Sequence, residues 1–154
     1  MHLKTLLSVA AGMVAGVALT LATVATPASP AAAQMDAFAV AQKAQAIATI
    51  YQLDKSGFHD MDVSLTAGTM PAGALGTVRR ARIAHQATSW PDALQEHAKA
   101  LTAKMMEFEE ALRAEDVGKS APLAKEVHDI EHDFSAEVYT WLTGAPAAAP
   151  EHGH

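Results

Sequence analysis

Three side chains within five positions, His128, Glu131 and His132, are of types that bind transition metals or move protons. At about 100° per residue, Leu123, Val127, Ile130, Phe134, Val138 and Trp141 share one face of a helix, and Glu131 falls inside that face. His128 lies at its edge, and His132 sits further round. An unpaired buried carboxylate is expensive, so Glu131 requires a partner: a bound cation, Arg82, Lys104, or a group that shares a proton.

Other ionisable groups fall in apolar stripes on the preceding helices: Asp54, His85 and His97. Short connections place residues equidistant from a turn opposite each other. That sets Asp54, His85 and His97 in one layer, and Met61, Asp62, Met105, His128, Glu131 and His132 in a second. The layers are on the order of 12 Å apart, with His59 between them at the flank of the first helix. Imidazole and carboxylate suit Zn, Cu, Ni or Fe, and the thioethers of Met61 and Met105 bias a site toward Cu(I).

Four helices must hold these groups. The first begins near Asp36, and its expected core face is Val40, Ala44, Ile47, Tyr51, Asp54, Phe58, Met61 and Leu65, in alternating steps of three and four. A stop at Lys55-Ser56-Gly57 is the alternative, but the spacing persists across Gly57, so one continuous helix is expected even though a helical glycine costs ~1 kcal/mol. Ala67 to Gly73 forms a turn, and a second helix follows over about Ala74 to Ser89. Ser89-Trp90-Pro91-Asp92 opens the third, with Leu94, His97, Ala98, Leu101, Met105, Phe108 and Leu112 inward and Glu96, Lys99, Glu109 and Glu110 in water. Ser120 and Pro122 start the fourth, which stops at Gly144. The expected fold is all-α, an antiparallel up-and-down four-helix bundle over residues 34–143.

Residues 1–33 read as a cleaved export signal, with an apolar run from Leu6 to about Val24 and the small-residue ending Ala31-Ala32-Ala33. Removing it takes Lys4 away and moves the net charge from −6 to −7. Localisation is then periplasmic or secreted, with no stable membrane insertion afterwards. The tail, residues 144–154, is Ala/Pro-rich and ends Glu151-His152-Gly153-His154, which reads as solvated slack. The acidic balance argues against nucleic acid as a partner. Zero cysteines exclude disulfides, thiolate metal sites and covalent CxxCH haem.

In size, export and helix order, residues 36–142 resemble the cytochrome b562 and cytochrome c′ type of four-helix bundle. The cofactors of those families do not carry over. A b562-like ligand pair would need Met35 or Met61 opposite a histidine late in the last helix, where the sequence has none, and the Glu-x-x-His pairs of di-iron bundles have only Asp129-x-x-His132 as a counterpart. The expected function is non-enzymatic binding of a transition-metal ion for storage, delivery or sensing, with a periplasmic protein as a compatible partner. The alternatives are a haem b electron carrier using His85 or His97 with a methionine, and a metal-free structural or chaperone-like protein. No nucleophile constellation or phosphate loop supports an enzyme.

Overall fold

The computed structural model describes residues 30–144, with side chains from residue 34. The regular structure there is all-α: α1 (Pro30–Asp54), α2 (Phe58–Thr66), α3 (Ala74–Gln86), a 3₁₀ turn (Asp92–Leu94), α4 (Gln95–Arg113) and α5 (Val117–Thr143). Apart from its last four residues, which open α1, the expected export signal lies outside the described residues. So do residues 145–154 of the expected tail.

The first expected helix is two. Gly57 takes φ +69°, a left-handed conformation that glycine adopts without a Cβ clash. Ser56 Oγ donates to Gln52 O at 2.8 Å and Ser56 N to Leu53 O at 2.9 Å, so the last carbonyls of α1 are satisfied locally. The break resets the helical phase. Downstream, Phe58, Met61 and Leu65 are buried as their spacing indicates. Upstream the buried residues are Ala46, Thr49 and Leu53, while Val40, Ile47 and Tyr51 of the expected core face are exposed. Lys43 Nζ to Leu142 O (3.4 Å), Gln45 Nε2 to Ala87 O (3.0 Å) and the buried Thr49–Thr88 hydroxyl pair (2.6 Å) hold α1 against the ends of α5 and α3.

α3 stops at Gln86, earlier than expected. The Thr88 hydroxyl turns back to Ala84 O at 2.9 Å, and Trp90, buried, donates Nε1–H to His85 O at 3.1 Å. α5 starts earlier than expected, because Asp116 caps it by accepting Lys119 N–H at 3.0 Å. Pro122 therefore lies inside the helix, not in its first turn. Gly144 ends α5 at φ +67°, as the sequence indicates.

Phe108, Phe134, Leu53, Leu65, Leu101, Met105, Val78, Val127 and Val138 make the dry centre, each large side chain contributing about 1.5–3 kcal/mol. α4 lies between α3 and α5, and α2 lies on α5. Contacts join rising numbers on one helix to falling numbers on the next: Arg82 to Glu109 and His85 to Ala98, then His97 to Glu137 and Lys104 to Glu126.

Candidate functional site

His59 and Asp62 of α2 and His128 and Glu131 of α5 lie along the seam of those two helices. The imidazole of His59 on α2 sits edge-on to that of His128 on α5, with centroids 5.1 Å apart and planes at 63°. His128 Nδ1 lies 3.7 Å from Asp62 Oδ2, beyond hydrogen-bond length but close enough for an ion pair once the ring is protonated. His59 and Asp62 are spaced i,i+3 on α2, and His128 and Glu131 are spaced i,i+3 on α5, so each helix stacks its pair on one side. The seam forms because Phe58, Met61 and Leu65 of α2 and Val127, Phe134 and Val138 of α5 bury together, leaving the polar residues between them at its edge.

Glu131 is buried as expected, at 9 % exposure. Its Oε1 accepts a 2.8 Å hydrogen bond from Ser135 Oγ one turn on, a partner the sequence reading missed. Neither expected cation reaches it. Arg82 binds Glu109, and Lys104 bridges Glu107 and Glu126. Burial therefore pushes the Glu131 carboxyl above the usual carboxylate range; Ser135 and the charges of His132 and His128 oppose this, and Asp54 adds to it.

The remaining expected site residues are dispersed. Asp54 is not in the interior; it is exposed at the end of α1 and pairs with Lys55 at 2.8 Å, and its charge acts on Glu131, not on His85. His132 is exposed. His97 is on the surface, where Nδ1 meets Glu137 Oε2 and ties α4 to α5. The expected Asp54–His85–His97 layer therefore does not form. The 3₁₀ turn and α4 bury Leu94, Ala98, Leu101, Met105, Phe108 and Leu112 in steps of four and three, and His97 lies at the edge of that stripe, toward water. Met61 and Met105 are both buried in the core cluster. Among the described residues, no group of three His, Asp or Glu side chains stands ready to hold a metal ion in this conformation.

His85 is 1 % exposed. Its Nε2–H donates to Ala98 O at 3.0 Å, its ring packs against Trp90 and Phe134 with centroids 5.1 Å from each, and its Nδ1 is buried without a hydrogen-bond partner. Burial lowers its pKa against the opposing pull of the Ala98 carbonyl, which keeps the ring neutral. Beside it opens a cleft of about 930 Å³ lined by Phe38, Trp90, Pro91, Thr102 and Met106. Glu109, expected in water, is also buried and takes Arg82 Nε at 2.5 Å and Arg79 Nε at 3.4 Å. Its neighbours at i−4 and i+3, the buried Met105 and Leu112, carried the signal for that position. Compared with protein-family models, with curated proteins and with solved structures, the chain matches none.

Proposed function

We propose that this chain is an exported, antiparallel up-and-down four-helix bundle that binds one transition-metal ion at the α2–α5 seam, for storage, delivery or sensing. The leader at residues 1–33 sends it to the periplasm or the medium, where the ion is acquired. The observation that carries the reading is the meeting of His59, Asp62 and His128 from two helices, with Glu131 one turn away. His59 is exposed and His128 half-buried, so both rings are free to turn toward a common ion. Asp62 beside His128 Nδ1 favours the tautomer that leaves Nε2 for the metal, the usual carboxylate–imidazole support of a ligating histidine. Burial raises the Glu131 carboxyl and a nearby cation would favour its ionised form, which links loading to pH. Two imidazoles and carboxylate oxygens suit Zn²⁺, Cu²⁺ or Ni²⁺.

The alternative of haem b draws less support, because His85 commits Nε2 to a backbone carbonyl and His97 is on the surface. A metal-free interaction protein is the second reading, favoured by the cleft beside Trp90.

Calorimetric titration of chelator-treated protein with Zn²⁺, Cu²⁺ and Ni²⁺ tests the metal reading. One equivalent is expected to bind at least one of them. His128→Ala and His59→Ala should each weaken binding by tenfold or more, and truncation after Gly144, which removes His152 and His154, should leave it intact. Binding that survives both histidine changes, or vanishes with the tail, overturns the proposal.

A further inference from the structure

The cleft beside His85 has a chemistry of its own. α1, the loop after α3, the 3₁₀ turn and α4 all contribute to its walls, and its volume of about 930 Å³ falls within the range of roughly 300–1,000 Å³ that small-molecule sites occupy. Phe38 of α1 and Met106 of α4 are 61 % and 48 % exposed and both border it, together with the buried Trp90 and Ala98. A phenyl ring, a thioether and an indole that converge on one cleft are the groups an apolar ring packs against. The charged lining residues are Asp92 and Lys99, one of each sign, and both are engaged: Gln95 Nε2 donates to Asp92 Oδ1 at 3.2 Å, and Lys99 pairs with Glu96 at 2.7 Å. The lining therefore offers an ionic ligand no counter-charge. One polar atom of the wall lacks a partner. His85 Nε2–H is committed to Ala98 O at 3.0 Å, so Nδ1 of the neutral ring carries a lone pair, and no described group donates to it. A buried acceptor left in that state costs stability, which a ligand that brings a donor restores.

We infer that this cleft binds an uncharged small molecule with an apolar ring and one N–H or O–H donor, the ring seated among Phe38, Trp90 and Met106 and the donor on His85 Nδ1. The inference does not rest on the metal site. Nδ1 is closed to water, so the donor reaches it as the wall yields around the imidazole. Trp90 packs on that ring with centroids 5.1 Å apart and donates its Nε1–H to His85 O at 3.1 Å, so its indole senses the change. A polypeptide partner is the poorer fit. It would need about 800 Å² of complementary surface on this side, whereas the apolar lining is confined to the cleft and shares it with Gln42, Gln86, Gln95 and Thr102. Such a lining suits a molecule that enters the cleft over one that lies across it.

Equilibrium dialysis of protein purified after expression of the full chain, against 2-naphthol, 2-methoxynaphthalene and 2-naphthoate, supplies the test. The three probes share a ring system and carry, in turn, a donor, an acceptor alone and a negative charge. 2-Naphthol should bind at a single site per chain, 2-methoxynaphthalene roughly fivefold more weakly because it brings no donor, and 2-naphthoate more weakly still. Binding of 2-naphthol should shift the Trp90 indole N–H resonance. Met106→Glu, at an exposed position, should leave the helical circular dichroism unchanged and weaken 2-naphthol binding severalfold. His85→Leu should bring the two uncharged probes to the same affinity, and His128→Ala should change neither. No binding of 2-naphthol, equal affinity of the parent protein for the two uncharged probes, or 2-naphthol binding indifferent to Met106→Glu overturns the inference.

Discussion

Replacing Glu131 by glutamine in chelator-treated protein isolates the consequence of an inward carboxylate that no lysine or arginine neutralises. The amide keeps the shape and an Oε1 that can accept the 2.8 Å hydrogen bond from Ser135, so Glu131→Gln removes the charge and little else. Burial raises the folded-state pKa of Glu131 above its ordinary value of 4.5. The folded protein therefore holds a proton that the unfolded chain has released, and stability falls as pH rises through that interval. Above it, the native state carries a buried anion with one side-chain hydrogen bond. From the general cost of an under-compensated buried polar group, the substitution should stabilise the protein by about 1 kcal/mol near pH 8. Below pH about 4 Glu131 is neutral in both states, and the two proteins should unfold together. Urea denaturation followed by circular dichroism at both ends of the range provides the comparison. A glutamine variant less stable than the parent at high pH would mean that the Glu131 charge is favourably engaged, and would refute the electrostatic reasoning.

Other outcomes follow from the same packing. Arg82→Ala strands the buried Glu109 with only the longer contact to Arg79 and should destabilise by about 3 kcal/mol, read from the urea midpoint. His85 is held neutral, so the unfolded chain takes up a proton first as pH falls below the ordinary histidine value of 6.5, and stability should decline there by up to ~1.4 kcal/mol per pH unit; His85→Leu should flatten that slope in a pH series of melting curves. Ser120→Ala removes a fully buried hydroxyl that lacks a hydrogen-bond partner and should raise stability by about 1 kcal/mol, seen as a higher melting temperature.

The helices that packing alone controls were legible in the sequence. Phe58, Met61 and Leu65, the stripe from Leu94 to Leu112 apart from His97, and Val127, Glu131, Phe134 and Val138 are all buried where their spacing puts them. Local backbone chemistry decided the rest. Gly57 breaks a periodicity that runs unbroken in the sequence, and the break turns the wrong face of α1 to the core. Asp116 outcompetes Ser120 as a cap, leaving the serine buried. Of the candidate site, the inward Glu131 was readable from α5 alone, and the placing of Asp62 level with His128 from the short connections between helices. The layer built on Asp54, His85 and His97 was not. It required the register of three helices at once; the helix break leaves Asp54 at the exposed end of α1, and His97 falls at the wet edge of the α4 stripe.

The most direct measurement is the anomalous scattering of crystals soaked in Zn²⁺ and collected above the zinc edge. The account predicts a single strong peak within coordination distance, about 2.0–2.2 Å, of a nitrogen of His59 and a nitrogen of His128, with an oxygen of Asp62 or Glu131 completing it. A peak confined to the C-terminal histidines, or none at the seam of α2 and α5, would contradict it.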